Sequence, residues 1–223
     1  MKLYNTRTGT TEDFNSSDHV KLYTCGITPY DTTHLGHAFT YFVSDVLIRS
    51  LESQGKNVAY AQNVTDIDDD ILKKAVEEDE NWRLLGNRWT RHFIEDMQNL
   101  NMLPPDFFPR ANDVIPEIIA VTHGLLDKGL AYEQNGNVYF SIESWPEFGK
   151  LSGLDLDEML PIANERGNHP DDPHKRHPLD FVLSQAKSPE EPSWESPWGD
   201  GRPGWHIECS TMVTQLLGET NLQ

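Results

Sequence analysis

Residues 19–64 read "HVKLYTCGITPYDTTHLGHAFTYFVSDVLIRSLESQGKNVAYAQNV", and this stretch decides the fold. Its first eight residues carry a short extended pattern that ends in glycine, as a strand does before a turn. From Ala38 to Gly55 the apolar residues Phe39, Phe42, Val43, Val46, Leu47 and Leu51 recur at three and four, which predicts a helix with Gly55 as its C-cap. The last eight residues, "NVAYAQNV", predict a second strand. Strand, helix and strand in this order make a right-handed parallel unit, the repeat of a doubly wound α/β sheet. Such sheets bind ligands at the carboxyl ends of their strands. That is where this reading places "CGITPYD" at 25–31 and "HLGH" at 34–37.

Outward from that unit, residues 67–78 and 82–100 have helical periodicity, and "LPPD" at 103–106 breaks the chain. Residues 113–129 predict another helix, with Ile115, Ile118, Ile119, Leu125 and Leu126 on its apolar side. A hairpin is predicted around "AYEQNGNVYFSI", with Asn135 and Gly136 in the turn. Residues 143–204 are rich in proline, acid and tryptophan and show little periodicity, which suits an inserted, loop-heavy segment better than sheet strands. The sequence contains no internal repeat and no low-complexity tract.

The 223 residues are 37% apolar, enough for one good core or for one domain with a substantial insertion. No uninterrupted apolar run approaches the roughly 18 residues of a membrane span, and "MKLYNTRTGTTEDF" lacks the apolar core of a secretory signal. The expectation is a soluble cytoplasmic protein with no membrane partner. Cys25 and Cys209 are the only 2 cysteines and make no disulfide framework, which leaves free thiols or metal ligands. Thiols of this kind are also common as small buried apolar residues. The net charge of −18 repels phosphate at long range and argues against a standalone nucleic-acid binder. "HKRH" at 174–177 is the one compact basic cluster.

His34 and His37 are three apart, on one face of a predicted helix start, beside unpaired backbone N–H groups and the positive end of the dipole. That is an anion site. Gly36 lets a flat ring or a phosphate approach the backbone, and Leu35 is expected to anchor the turn in the core. Two imidazoles that donate hydrogen bonds would stabilise charge developing on phosphate during displacement at phosphorus. The plainer alternative is two surface histidines. Asp66, Asp68, Asp69 and Asp70 are explained as readily by N-capping and dipole compensation as by a cation, and no metal is assigned to them.

Taken together, "CGITPYDTTHLGHAFTY", "NVTDIDDDILKKA", "PRANDVIPEI", "FGKLSGL" and "EPSWESPWGDGRPGWHIECSTM" resemble the catalytic domain of the cysteinyl-tRNA synthetase family. They also resemble its close relative, the ligase that joins cysteine to glucosaminyl-inositol in mycothiol synthesis. The resemblance runs from residue 2 to the end of the chain. It implies a class I, Rossmann-like parallel sheet of the HUP type, with an inserted connective region. It implies ATP binding by His34, Leu35, Gly36 and His37, with the two histidines assisting adenylate formation from cysteine and ATP with Mg2+. It implies a Zn2+ ion on the floor of the cysteine pocket, with Cys25 and Cys209 as two of four ligands. Such a soft site prefers the sulfur of cysteine to the hydroxyl of serine. Thr28, Tyr30 and Trp205 match positions in the wall of that pocket, with core packing as the rival reading of Trp205. His206 or water would complete the metal shell.

The resemblance further implies a chain of three parts: a first Rossmann half at 1–115, the connective region at 116–203 and the start of a second half at 204–223, leaving the sheet incomplete. The family's remaining zinc ligands and its lysine-rich phosphate loop match nothing here. Cysteine transfer to tRNA(Cys) is then the expected reaction of the full-length protein. Transfer to glucosaminyl-inositol, or a non-catalytic binding role, stays open.

Overall fold

The computed structural model describes residues 1–15, 17–189 and 191–218. In chain order the elements are β1 (Lys2–Asn5), β2 (Thr10–Asp13), β3 (His19–Ile27), α1 (Leu35–Ser53), β4 (Asn57–Val64), α2 (Asp69–Glu77) and α3 (Trp82–Asn99). They continue with α4 (Ile115–Asp127), β5 (Ala131–Gln134), β6 (Asn137–Phe140), α5 (Leu156–Asn164), β7 (Phe181–Ala186), β8 (Gly201–Pro203) and α6 (Trp205–Leu217). Two compact units result among the described residues, one from 17–114 and 208–218, the other from 1–15 and 115–207. Among the described residues no helix is long and apolar enough to cross a membrane.

The first unit is built on the predicted strand, helix and strand. β3 and β4 pair in parallel from His19↔Asn57 to Thr24↔Gln62 without interruption. Strand β4 reads as a near-continuous buried run, as a parallel strand covered on both faces must. The chain after the proline break returns along the free edge of β4, where parallel bridges join Ala61 to Phe107 and Val64 to Arg110. Each bridge carries a backbone bond, Gln62 N–H to Phe107 O at 3.0 Å and Val64 N–H to Pro109 O at 2.9 Å.

Helix α1 buries Tyr41, Asp45, Ile48 and Leu51, a stripe with helical spacing that includes a carboxylate. Asp45 is satisfied there, since its oxygens accept from Arg49 Nε and from the Leu103 backbone N–H, each at 2.8 Å. The stripe differs from the one the apolar periodicity selects. Phe39 is 71% exposed, and Phe42, Val43 and Val46 are about half exposed. Leu35 is 88% exposed and anchors nothing in the core.

The second unit holds the β1–β2 hairpin, helix α4 and an antiparallel sheet of order β5-β6-β7-β8. The Asn135-Gly136 turn closes β5 on β6, with both residues at positive φ. Residues 143–204 depart from the loop-heavy expectation. They supply β7 and β8, which pair from Ser184↔Pro203 to Ala186↔Gly201, and helix α5. A capping box between Asp155 and Glu158 starts α5, although Pro161 lies inside it. Gly201 and Gly204 are needed at the sheet, since a Cβ on either would fall 2.3 Å or less from a backbone oxygen of β7. The basic cluster is held locally: Lys175 Nζ donates to Asn168 Oδ1 at 2.6 Å, and the Arg176 guanidinium lies 3.9 Å from the Tyr132 ring centroid.

Candidate active site

The parallel register of β3 shifts between Thr24 and Ile27, so Cys25 and Gly26 form a bulge just before the strand ends. A bulge re-aims a side chain, and here it turns the Cys25 thiol out of the sheet toward α6. Asn63 of β4 fixes the bulge: its Oδ1 accepts from Gly26 N–H at 2.7 Å and from the Tyr23 hydroxyl at 2.8 Å, and its Nδ2 donates to Thr65 Oγ1 at 3.2 Å. Glycine is obligatory at 26, because a Cβ there would lie 1.4 Å from the Asn63 carbonyl oxygen. Gly26→Ala is therefore expected to cost roughly 3–5 kcal/mol, read as a lower midpoint in urea unfolding; an unchanged midpoint would show that the strands part freely at this point.

Cys25 and Cys209 lie 184 residues apart in sequence, and their Sγ atoms meet at 3.3 Å. Hydrogen bonding from Cys209 brings the Cys25 thiol down to about 7, while the same contact and burial push Cys209 up. Cys25 is exposed and so open to reagents. In metal-free protein, its alkylation by iodoacetamide should rise with a midpoint at about pH 7. Cys209→Ala removes the donor and should return that midpoint toward the ordinary thiol value of about 8.5. A Cys25 midpoint that ignores Cys209 would separate the two thiols.

His34 is the N-cap of α1, with extended backbone (φ −121°, ψ 169°) and Nδ1 accepting from Gly36 N–H at 3.0 Å. That bond leaves the neutral ring with its proton on Nε2, facing outward as a donor. The rings of His34 and His37 stack with centroids 3.8 Å apart. Burial, and secondarily His34, hold His37 below the usual imidazole range, so it is neutral near pH 7. His37 Nδ1 is buried without a hydrogen-bond partner. Gly36 makes room for the stack, since a Cβ there would come 2.8 Å from His34 Cε1.

Thr28 and Tyr30 follow the bulge; Tyr30 is 38% exposed, and its N–H closes on Thr28 O at 3.0 Å. Trp205 opens α6, about half exposed, 5.4 Å from the His206 ring. His206 packs edge-on against Phe181 at 5.1 Å; both belong to the other compact unit. Asp66 is buried and accepts from Asn112 N–H at 3.0 Å, and burial raises it above the carboxylate range. Asp68 caps α2 through Asp70 N–H at 2.9 Å, as the capping reading of "DIDD" expects.

Three residues of this region went unread in the sequence. Asn63 sits in an apolar strand, where a buried amide is itself a signal. Tyr23 bonds to it. Glu208, beside Cys209, is fully buried with both carboxylate oxygens lacking a hydrogen-bond partner, and burial pushes it well above the carboxylate range.

As half of a thiolate metal site the pair fits. Two thiolates on a tetrahedral zinc stand about 3.8 Å apart, a few tenths beyond the observed 3.3 Å, and one thiol already titrates at about 7. Among the described residues no third His, Cys, Asp or Glu joins them to make a group of three.

The fold carries its own likeness. Methionyl-tRNA synthetase of Mycobacterium tuberculosis, solved with methionyl-adenylate, superimposes with a TM-score of 0.60 over 91% of this chain and 47% of that one, at 13% identity. The architecture is thus that of the class I aminoacyl-tRNA synthetases, a Rossmann-like α/β fold. Residues 11–222 match the family described as tRNA synthetases class I (C) catalytic domain, and the chain belongs to that family. A cysteine--tRNA ligase from a Cyanothece species is 49% identical over 99% of this chain and 46% of its own length. An L-cysteine:1D-myo-inositol 2-amino-2-deoxy-alpha-D-glucopyranoside ligase from Thermomonospora curvata is 45% identical over 98% of this chain and 53% of its own length. The chain spans about half the length of these curated relatives.

Proposed function

We propose that this chain serves the activation of cysteine by ATP and its transfer to tRNA(Cys), as part of a cysteine--tRNA ligase. The observation that carries the reading is the meeting of Cys25 and Cys209 at 3.3 Å beside a parallel unit whose helix is capped by His34. The relative named as a cysteine--tRNA ligase at 49% identity supports it.

In the activation step an oxygen of the cysteine carboxylate forms a bond to the α-phosphorus of ATP, the bond from that phosphorus to the bridging oxygen breaks, and pyrophosphate leaves. Negative charge grows on the non-bridging oxygens, and donors already in place there lower the barrier. His34 offers its Nε2–H from a ring fixed by Gly36 N–H, and His37 adds a neutral imidazole stacked on it. The positive end of α1 favours the same charge. Thr28 and Tyr30, next along the chain from Cys25, would wall the amino-acid pocket. Cys25 and Cys209 are the two thiolates that would hold zinc, which when bound selects a thiol over a hydroxyl by direct coordination. Mg2+ accompanies ATP as substrate.

The test is cysteine-dependent exchange of pyrophosphate into ATP by the protein carrying this chain, followed by transfer with tRNA(Cys) and glucosaminyl-inositol offered side by side. Transfer to tRNA is expected. The 45% identity to the inositol-pathway ligase makes the sugar amine the second reading, and preference for it would replace the tRNA assignment. Absence of cysteine-dependent exchange would remove both.

A further inference from the structure

Cys25 and Cys209 are the only 2 cysteines of the chain, and both belong to the unit that holds β3 and β4. Cys25 is exposed, Cys209 is half-buried, and their sulfurs stand 3.3 Å apart. A disulfide sets its sulfurs at about 2.05 Å, so the pair has to close by about 1.3 Å to form one. Cys25 stands in the bulge between Thr24 and Ile27, outside the regular ladder with β4, where a shift of this size breaks no strand pairing.

We propose that this pair is a modification site: a low-molecular-weight disulfide of the cystine type oxidises it to a Cys25–Cys209 disulfide, and the linked pair holds no metal. Exposure sets the order of events. The Cys25 sulfur gives up its proton and forms a bond to one sulfur of cystine; the cystine S–S bond breaks, and one cysteine leaves and takes up a proton. The Cys209 sulfur, 3.3 Å away, then gives up its proton and bonds to the Cys25 sulfur; the mixed disulfide breaks, and the second cysteine leaves, protonated in turn. Two protein thiols are oxidised, one small disulfide is reduced to two thiols, and two protons pass from the protein to the products.

Cystine suits the pair on two counts. It carries no net charge near neutral pH, so the net charge of −18 does not repel it as it repels an anionic disulfide. Each of its halves is also the amino acid that the pocket is read as admitting; the choice of oxidant rests on that reading, whereas the linkage rests on the two sulfurs alone. Metal binding takes both sulfurs as thiolates, and a disulfide offers none. Oxidation and zinc therefore exclude one another at this pair. The link is reversible, because a small thiol reduces it by the same two exchanges run backwards.

The test incubates the whole chain, freed of metal by a chelator, with cystine near neutral pH, then quenches with acid and maps the peptides by mass. The unaltered chain should lose two hydrogens and yield one linked peptide pair joining Cys25 to Cys209, undone by dithiothreitol. Cys209→Ala should stop at a mixed disulfide, with one cysteine held on Cys25. Cys25→Ala should leave the half-buried Cys209 slower to react by at least about tenfold. Stoichiometric zinc added first should slow the linkage by at least about tenfold, and the oxidised chain should take no zinc from a chromophoric chelator until it is reduced. None of these readouts uses catalysis, so a failure of cysteine-dependent exchange would leave them standing. Glutathione disulfide, an anion, should link the pair more slowly at low ionic strength, and an equal rate would overturn the choice of cystine. A mixed disulfide that persists on Cys25 in the unaltered chain, links formed only between copies, or a linkage rate indifferent to zinc would overturn the assignment.

Discussion

Replacing His37 by Ala should lower the turnover of cysteine-dependent pyrophosphate exchange by about 10²- to 10³-fold, with the KM for ATP held within about threefold. The asymmetry follows from where the ring acts. His37 lies on the first turn of α1, stacked on the capping His34, and its hydrogen bond is proposed to tighten as charge develops on phosphate. Interactions that strengthen only in the transition state appear in kcat and not in binding. His37→Asn keeps a donor and should recover part of the loss. Because burial holds His37 below the ordinary imidazole value, the neutral ring persists as pH falls through about 6.5, and the acid limb of kcat should lie below that point. A loss carried wholly by KM would make His37 a ground-state contact.

The second large effect concerns the thiols. Cys25→Ser should weaken zinc binding by more than about 100-fold, measured by competition with a chromophoric chelator. It should also reduce the preference of the activation step for cysteine over serine to the roughly 10- to 200-fold that a plain pocket provides. Both follow from the 3.3 Å approach of the two sulfurs: with one gone, no pair of soft ligands remains. Tightly held, stoichiometric zinc in the unaltered 223-residue chain would require ligands beyond the two thiols. Unimpaired zinc binding in Cys25→Ser would exclude that residue as a ligand.

The parallel core was legible because β3, α1 and β4 each carry a pattern of their own period, and a right-handed crossover leaves one way to join them. Which face of α1 is buried was not legible. The buried stripe runs through Asp45, whose charge is taken up by Arg49 and by the Leu103 backbone from a distant segment, and no local pattern reveals that partner. β7 and β8 escaped for another reason. With six and three residues, they are too short to show alternation among prolines and turns, and Gly201 and Gly204 read as loop punctuation until the facing backbone of β7 is in view. The two cysteines were paired only through resemblance to a family, since nothing across a sequence separation of 184 fixes their approach. The bulge that turns Cys25 outward depends on Asn63, a side chain from the neighbouring strand.

The uncovered side of α1 has a bearing on how this chain behaves in concentrated solution. Phe39, Phe42, Val43 and Val46 make an adhesive stripe on a polyanion of net charge −18. In dilute buffer the shared charge keeps copies apart, but near 1 M salt the Debye length shrinks to about 3 Å and only the stripe is left to act between them. Light scattering should therefore record a second virial coefficient that turns from positive to negative as salt is added, the reverse of what dissolves an ordinary ion-paired aggregate. Phe39→Lys with Phe42→Glu leaves the net charge unchanged and should keep the coefficient positive throughout. Storage at low ionic strength, rather than high, is what this surface calls for.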